Sequence, residues 1–382
     1  EDINGQDMNL EERKFKQIPL GGMVLIPCVI VGVCLSMVLM SEEENVAHSI
    51  KTSTLLLGCG VISVYLIGIL KDLYGLPVKV CLLIQFLAAL TLPLCGLVLS
   101  DLGGFMGIGF IPFWLSYPLT VLVIVVMVNA ISMFDGIDGL ISSYAMLCML
   151  CFGICFHASS NMVYCLIAAS MVGGLIVFFC RNVFGSIEGK SKIDMGNSGS
   201  LTLGFSLAYL TLKFIIAEDK SSFDYQERML VCFSLLFVPC IDLVRVFFER
   251  ILRADRPFSA DQRHLHHMLI NSGVFGRMTL LAMMSVICFF LLANLILASI
   301  VFPLTWIAVI DILCYALLMG VLKHRIRAFN NRIAQLDDIQ ERFRQNALSA
   351  KKICVLTPRF PLPENGGDVL RINNIARQLK RE

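Results

Sequence analysis

Long apolar runs separated by short polar segments make up most of residues 1–327. Ten of these runs are about 20 residues long, the length at which an α-helix crosses a bilayer. They lie near residues 20–41, 51–70, 77–99, 112–134, 139–157, 161–180, 197–217, 229–249, 278–301 and 303–322. The pattern therefore predicts an all-α polytopic membrane protein with about ten transmembrane helices.

The chain becomes hydrophilic beyond this region. Residues 328–350 have the composition of a charged helical linker. Residues 351–382 read as one β-loop-α unit: a buried-type strand at Ile353–Thr357, a loop ending at Gly367 and an amphipathic helix from about Asp368. An ordinary soluble tail with the same order of elements is the alternative interpretation.

Composition agrees with a membrane setting. The 382 residues are 57% hydrophobic and their mean hydropathy is +0.77, more apolar surface than a soluble domain of this size can bury. The net charge of +2 implies no bulk attraction to nucleic acid. Most of the fifteen cysteines lie inside apolar runs, where they act as small buried hydrophobes. Because the chain opens at Glu1 with a polar stretch, we expect that its natural start is missing and that no cleavable signal peptide is present.

Lysine and arginine are distributed unequally between the two sides of the predicted bundle. If the helices alternate in direction, the basic connections fall on one side, which the positive-inside rule makes cytoplasmic. These connections are residues 13–16, 71–79, 181–192, 250–277 and 323–327. The conspicuous polar motifs lie on this side too, so the sequence predicts a cytoplasmic site.

Ionisable residues at membrane boundaries are candidates for function because they are costly there. Asp135 and Asp138 stand three apart in the segment VNAISMFDGIDGL, where a predicted helix meets a glycine-containing turn. Two carboxylates at such a boundary can bind a divalent cation or accept a proton. A helix cap beside a solvated surface acid is the alternative. Asp72 ends an earlier predicted helix.

Two further segments carry candidate chemistry. Residues 242–269 are basic and contain His264, His266 and His267, side chains that can hold a pyrophosphate through charge-assisted hydrogen bonds. No second set of ligands accompanies these histidines, so zinc is poorly supported. The turn in KIDMGNSGSLTLGF, residues 192–205, opens a helix whose backbone N–H groups suit an anion, although glycine and serine are also common helix caps.

Five motifs in this order resemble the polyprenyl-phosphate N-acetylhexosamine-1-phosphate transferases, and in particular the bacterial undecaprenyl-phosphate N-acetylglucosaminyl-1-phosphate transferases. The motifs are IPLGG at 18–22, the stretch from Gly68 to Gly75, VNAxxxxDGxDGL, MGxSGSL at 195–201 and PFxxDxxHLHH at 257–267. The resemblance covers residues 11 to about 327. Close members commonly have eleven membrane helices, so we expect that one helix preceded this chain.

The resemblance implies a reaction at the inner membrane of a bacterium. A polyprenyl phosphate attacks the β-phosphate of a UDP-N-acetylhexosamine, UMP leaves, and the lipid-linked sugar initiates a cell-envelope glycan, with Mg²⁺ neutralising the diphosphate. The resemblance assigns catalysis to Asp72, Asp135 and Asp138. It assigns substrate binding to Lys79, Asn129, His264, His266 and His267. Lys192 and Arg253, in the basic connections, are further candidates for substrate binding.

Three positions depart from the family motifs. Lys71 replaces the first aspartate of an Asp-Asp pair, Ser132 replaces an asparagine, and Asn197 replaces an aspartate. The last two are positions that the family associates with magnesium. Two negative charges are lost and one positive charge is gained, so we expect weak Mg²⁺ binding, with Lys71 as a partial substitute for the cation.

Two functional classes therefore stay open. One is a transferase with altered metal dependence, and the other is a catalytically impaired relative that binds lipid phosphate or sugar nucleotide, or that scaffolds a fused or associated glycosyltransferase. Residues 351–382 resemble the start of a GT-B glycosyltransferase domain, which supports such a fusion. A transporter is not favoured, because neither inverted repeats nor helices broken at mid-membrane are visible.

Overall fold

A computed structural model of the chain describes residues 21–24, 26–27, 30, 52–186, 191–216, 222–254, 263–300 and 303–350. Within these residues every regular element is helical, apart from an isolated bridge between Asp101 and Phe110. The α-helices are α1 (Thr52–Tyr74), α2 (Val78–Leu94), α3 (Phe113–Ser132), α4 (Leu140–Ala158), α5 (Met162–Phe184), α6 (Gly196–Ile215), α7 (Tyr225–Leu252), α8 (Leu265–Asn271), α9 (Arg277–Ser299) and α10 (Leu304–Ala350). Phe105–Gly107 forms a 3₁₀ turn.

The structure confirms an all-helical, multi-pass architecture but not the predicted ten spans. Six helices in the described part of the chain are long and apolar enough to cross a membrane: α3, α4, α5, α7, α9 and the described length of α10. Helix α2 has only 17 residues, and α6 is rich in serine, threonine and glycine. The predicted span at 20–41 lies mostly outside the described residues, which include only 21–24, 26–27 and 30 of it.

Helix α6 is the centre of the bundle. Every residue from 198 to 212 is buried, and the helix packs against α1, α3, α4 and α7. A helix that is enclosed on all sides does not need a lipid-facing stripe, because its neighbours satisfy its small and hydroxyl side chains. Its lower hydropathy therefore follows from its central position.

Glycines let the neighbouring helices approach α6 closely. A Cβ atom on Gly68 of α1 would lie 2.5 Å from Ser198 Cα, and one on Gly204 of α6 would lie 2.9 Å from Val128 Cα of α3. Such distances exclude any side chain. Near the N-terminal end of α6, Gly22 N also donates to the carbonyl oxygen of Met195, at 2.9 Å. Close packing therefore fixes the end of α6 that carries the MGxSGSL motif.

The last helix is longer than its membrane span. Helix α10 continues from Leu304 to Ala350, so the predicted span at 303–322 and the predicted linker at 328–350 form one continuous helix. The predicted β-loop-α unit at 351–382 lies outside the described residues.

The chain divides into two compact units. The first comprises Glu1–His266 with Leu280–Cys314, and the second comprises His267–Thr279 with Tyr315–Glu382. The acidic and glycine motifs all belong to the first unit. Within the second unit, Phe275 packs against Phe329 with a ring-centroid distance of 6.4 Å.

The contact between α1 and α6 can be tested with two glycines of α1. Gly68→Ala should destabilise the protein by about 1–3 kcal/mol, because the new methyl group would overlap the α6 backbone. Gly58→Ala is the matched control: its Cβ would meet nothing within 4 Å, so it should stay within about 1 kcal/mol of wild type or gain stability. Thermal unfolding in detergent measures both. Equal effects of the two substitutions would contradict the close approach.

Candidate active site at the helix ends

Asp72 binds the N-terminus of α6. Its Oδ1 atom accepts hydrogen bonds from the backbone N of Asn197 at 2.9 Å and from Asn197 Nδ2 at 2.7 Å, and its Oδ2 atom accepts one from Ser198 N at 2.9 Å. The first N–H groups of a helix have no partner within the helix, and its positive end favours a negative charge. Asp72, near the end of α1, therefore caps α6 from a neighbouring helix. The N–H groups predicted to suit an external anion are used by this carboxylate.

Asp135 lies beside the same helix end. The backbone N–H of Gly196 lies near its carboxylate and favours the charged form. The side chain of Asp135 is exposed at the surface, but many atoms of the surrounding chain lie near its carboxyl group. This desolvation, followed by the charges of Asp194 and Asp72, raises the pKa of Asp135 to about 8. Asp135 can therefore gain or lose a proton near neutral pH.

Asp138 is paired with Lys192. The Lys192 Nζ atom lies 2.6 Å from Asp138 Oδ2, and the side chain of Asp138 is 52% exposed. The ammonium partner of the acids is therefore Lys192, whereas among the described residues Lys71 forms no ion pair. Lys71 and Asp72 are consecutive in a helix and project in directions about 100° apart, which explains why the two do not share a site.

The sequence analysis missed Asp194, a fourth carboxylate of this cluster. It precedes Met195 on the approach to α6, and burial and the charge of Asp138 raise its pKa while Lys192 lowers it. The sequence does contain a signal for it: an acidic residue three positions before Asn197, on the side of the membrane predicted to carry the site. We call Asp72, Asp135, Asp138 and Asp194 the acidic cluster.

Asn182 was missed as well. Its Oδ1 atom accepts a hydrogen bond from Gly139 N at 2.6 Å, and its Nδ2 atom donates to the Ile193 carbonyl at 2.9 Å. Asn182 is 6% exposed and belongs to α5. It therefore ties the loop that carries Asp138 to the segment that carries Asp194. No local sequence signal distinguishes it, because its two partners are fixed only by the fold.

Two of the three predicted histidines, His264 and His266, lie in the first compact unit together with the acidic cluster. His264 Nδ1 lies 2.9 Å from Asp242 Oδ2 of α7. The His266 ring lies parallel to that of His264, with centroids 6.0 Å apart, and its Nε2 atom would lie 2.5 Å from a Cβ atom on Gly136. A glycine beside Asp135 therefore lets the histidine segment approach the acidic cluster. His267 belongs to the second unit.

Three other residues that were predicted to bind substrate are less directly connected with the acidic cluster. Asn129 donates to Gln85 Oε1 at 2.8 Å and to the Val125 carbonyl, which links α3 to α2. Lys79 and Arg253 are exposed. Within the described part of the chain, neither side chain contacts the acidic cluster. The substrate-binding roles predicted for these residues stay predictions.

The two positions predicted to hold magnesium have other partners. Ser132 Oγ donates to the Asn129 carbonyl at 2.9 Å, and Asn197 directs its amide nitrogen to Asp72. Mg²⁺ requires oxygen ligands in nearly octahedral geometry. Among the described residues, no group of three or more histidine, cysteine, aspartate or glutamate side chains has metal-binding geometry. The residues at these positions therefore do not fit a preformed magnesium site.

Comparison with known proteins shows which transferases the chain resembles. Residues 53–215 match the model of glycosyl transferase family 4. The chain is 26% identical over 275 residues to the undecaprenyl-phosphate alpha-N-acetylglucosaminyl 1-phosphate transferases of Yersinia pestis and Escherichia coli K12, an alignment that covers 70% of this chain and 70% of each relative. It is 27% identical over 281 residues to a probable undecaprenyl-phosphate N-acetylglucosaminyl 1-phosphate transferase of Bacillus subtilis, with 73% of both chains covered.

These matches support the family resemblance predicted from the sequence. The match to the family model spans α1 to α6, and thus includes all four members of the acidic cluster. The acidic cluster therefore lies in the part of the chain that is similar to this transferase family.

The capping role of Asp72 predicts a stability effect. Asp72→Ala should destabilise the protein by about 1–2 kcal/mol, because two backbone N–H groups at the start of α6 lose their acceptor. Asp138→Ala, which removes an exposed ion pair, should cost less than about 1 kcal/mol. Denaturation of both variants in the same detergent makes the comparison. A larger cost for Asp138→Ala would contradict the capping role.

The raised pKa of Asp135 predicts a change with pH. Between the pKa of an ordinary aspartate and about 8, the folded protein keeps a proton that the unfolded chain has released, so this group destabilises the fold increasingly as pH rises. The stability of Asp135→Asn relative to wild type should therefore increase from pH 5 to pH 8 and then level off. Melting temperatures across this range measure it, and a constant difference would refute the protonated state.

Proposed function

We propose that this protein transfers N-acetylhexosamine-1-phosphate from a UDP-sugar to polyprenyl phosphate and so initiates the synthesis of a cell-envelope glycan. The relatives act, by their names, on undecaprenyl phosphate and transfer N-acetylglucosaminyl 1-phosphate. The observation that carries the proposal is the convergence of the motifs at one end of the bundle. Asp72 contacts Asn197, Lys192 contacts Asp138, and His266 lies against Gly136.

The roles follow from the charges of the two substrates. Lys192 is the cation nearest the acidic cluster, and an ammonium can hold a phosphate oxygen once it turns from Asp138. His266 adds a ring nitrogen beside the loop that carries Asp135. Asp135, with a pKa near 8, can accept a proton from a protonated lipid phosphate as its oxygen attacks the β-phosphate. The bond between the β-phosphorus and the oxygen that bridges it to the α-phosphate then breaks, and UMP leaves.

We also propose the setting of this reaction. The basic connections support a cytoplasmic position for the acidic cluster in the inner membrane of a bacterium. Helices α1, α2 and α6 would lie in the bilayer with the six apolar helices. Together with the span predicted at 20–41, they give the ten predicted from the sequence.

A second candidate function is a catalytically impaired relative. The interaction between Asp72 and Asn197 favours it, because a carboxylate that accepts three hydrogen bonds has less capacity to bind a cation or a proton. An amide at position 197 cannot supply the negative charge that an aspartate would. This relative would bind UDP-sugar or lipid phosphate with slow turnover, or would support a fused or associated glycosyltransferase.

Purified protein can separate the two candidates. Transfer of radiolabelled sugar phosphate from UDP-N-acetylglucosamine to undecaprenyl phosphate should be slow, and Mg²⁺ should stimulate it weakly. The triple substitution Lys71→Asp, Ser132→Asn and Asn197→Asp should raise Mg²⁺-dependent transfer at least tenfold, because it restores the charges of the family motif. Asp338→Asn, on the exposed part of α10, is the control for differences in protein preparation, and it should leave the rate of transfer unchanged.

Each outcome has a defined meaning. Strong Mg²⁺-dependent transfer by the unmodified chain would establish an ordinary transferase and would refute impairment. No transfer by either protein, with UDP still bound, would favour the non-catalytic relative. Failure to bind UDP would refute the proposed donor.

A further inference from the structure

Asp242 lies in an apolar helix and has no role in the proposed transfer reaction. It lies in the second half of α7 and is 3% exposed. Its Oδ1 atom accepts a hydrogen bond from Arg245 Nη2 at 2.7 Å, and both of its carboxylate oxygens accept from Leu265 N at 3.1–3.2 Å. Its Oδ2 atom lies 2.9 Å from His264 Nδ1. A buried acid needs such partners to remain charged.

These contacts fix the state of the His264 ring. The groups that face Asp242 from Arg245 and Leu265 are donors, so the carboxylate is the acceptor in this network. The ring atom Nδ1 must then carry the proton that joins His264 to Asp242. The other nitrogen, Nε2, is left without a proton whenever the ring is neutral.

The Nε2 atom of His264 is itself unusual. It is buried, and no hydrogen-bond partner for it exists among the described residues. An unsatisfied buried acceptor costs roughly 1–3 kcal/mol, so a folded protein keeps one mainly where a ligand, an ion or a water completes it. His264 also stacks beside His266, which approaches the acidic cluster at Gly136. His264 Nε2 therefore belongs to the same short segment as His266, which approaches the acidic cluster.

The remainder of the network holds the histidine segment in place. Arg245 Nη2 also donates to the Arg263 carbonyl at 2.6 Å, and Arg245 Nη1 lies 3.2 Å from Glu249. Asp242 and Arg245 thus bind three consecutive residues, Arg263, His264 and Leu265, at the point where the chain enters α8. One helix of the bundle thereby sets both the backbone path and the ring orientation of the motif.

We propose that Asp242 is the positioning residue of His264. It holds the ring as the Nδ1–H form and directs Nε2 to pair, when protonated, with the diphosphate of the sugar nucleotide. The inference deepens the proposed function and rests on it for the identity of the ligand. With Nδ1–H bound to Asp242, Nε2 donates to a phosphate oxygen once it carries a proton of its own.

The first measurement concerns the ring and needs no substrate. Protein labelled with ¹⁵N-histidine, in detergent, should give a His264 signal with the proton on Nδ1, and His264→Gln assigns that signal. Asp242→Leu removes the acceptor and should shift His264 to the Nε2–H form. Asp242→Asn keeps an acceptor oxygen and should retain the Nδ1–H form. This variant carries the test if Asp242→Leu does not fold.

The second measurement is the affinity for UDP. Asp242→Leu should weaken UDP binding about 10- to 100-fold, the usual effect of losing a partner that orients a ligand-binding histidine. Asp242→Asn should weaken it less. Asp311→Asn is the matched control: it alters another buried acid of a membrane helix, which accepts from Asn294 at 2.9 Å, and should leave UDP affinity unchanged.

The two measurements together decide the inference. A lower melting temperature for Asp242→Leu with an unchanged His264 tautomer would overturn it, and so would an altered tautomer with wild-type UDP affinity. Wild-type protein that bound no UDP would refute the proposed donor, whereas the tautomer of His264 would still decide whether Asp242 positions the ring.

Discussion

The N-terminus of α6 is the point on which the site depends. Two of its first backbone N–H groups donate to Asp72 from another part of the chain, and Asp135 lies close to the same helix end. A helix end that is enclosed by a bundle must find acceptors, since its N–H groups have no partner within the helix. In this protein the acceptors are the acids of the family motifs. The helix that organises the fold therefore also gathers the candidate catalytic groups.

This arrangement limits what the acids can do. Asp72 uses both oxygens to cap α6, and Asp138 is neutralised by Lys192. Desolvation and the charges of neighbouring carboxylates raise the pKa of both Asp135 and Asp194. The site therefore combines structural carboxylates with protonatable ones. The substitution at Asn197 contributes directly, because its amide is a hydrogen-bond donor to Asp72 where an aspartate would repel it.

Buried polar residues outside the five sequence motifs link the site to the helices of the bundle. Asn182 joins two site loops, and Asp242 joins α7 to the histidine segment. Each has low exposure and more than one partner, so its removal would leave unsatisfied groups at several places. Glycines complement them: Gly68 and Gly136 supply the space that lets the partners meet. Precise placement of the motifs thus depends on polar and glycine contacts between helices more than on apolar burial.

The sequence by itself determined the membrane class, the helical body and the family resemblance, because apolar run length and motif order are local properties. It also identified Asp72, Asp135 and Asp138. Only the tertiary structure decided that Asp72 caps α6, that Lys192 rather than Lys71 pairs with Asp138, and that Asp194 joins the cluster. These contacts join residues far apart in the chain, and which side chains meet depends on helix rotation and on glycine-permitted approach, which a one-dimensional pattern does not encode.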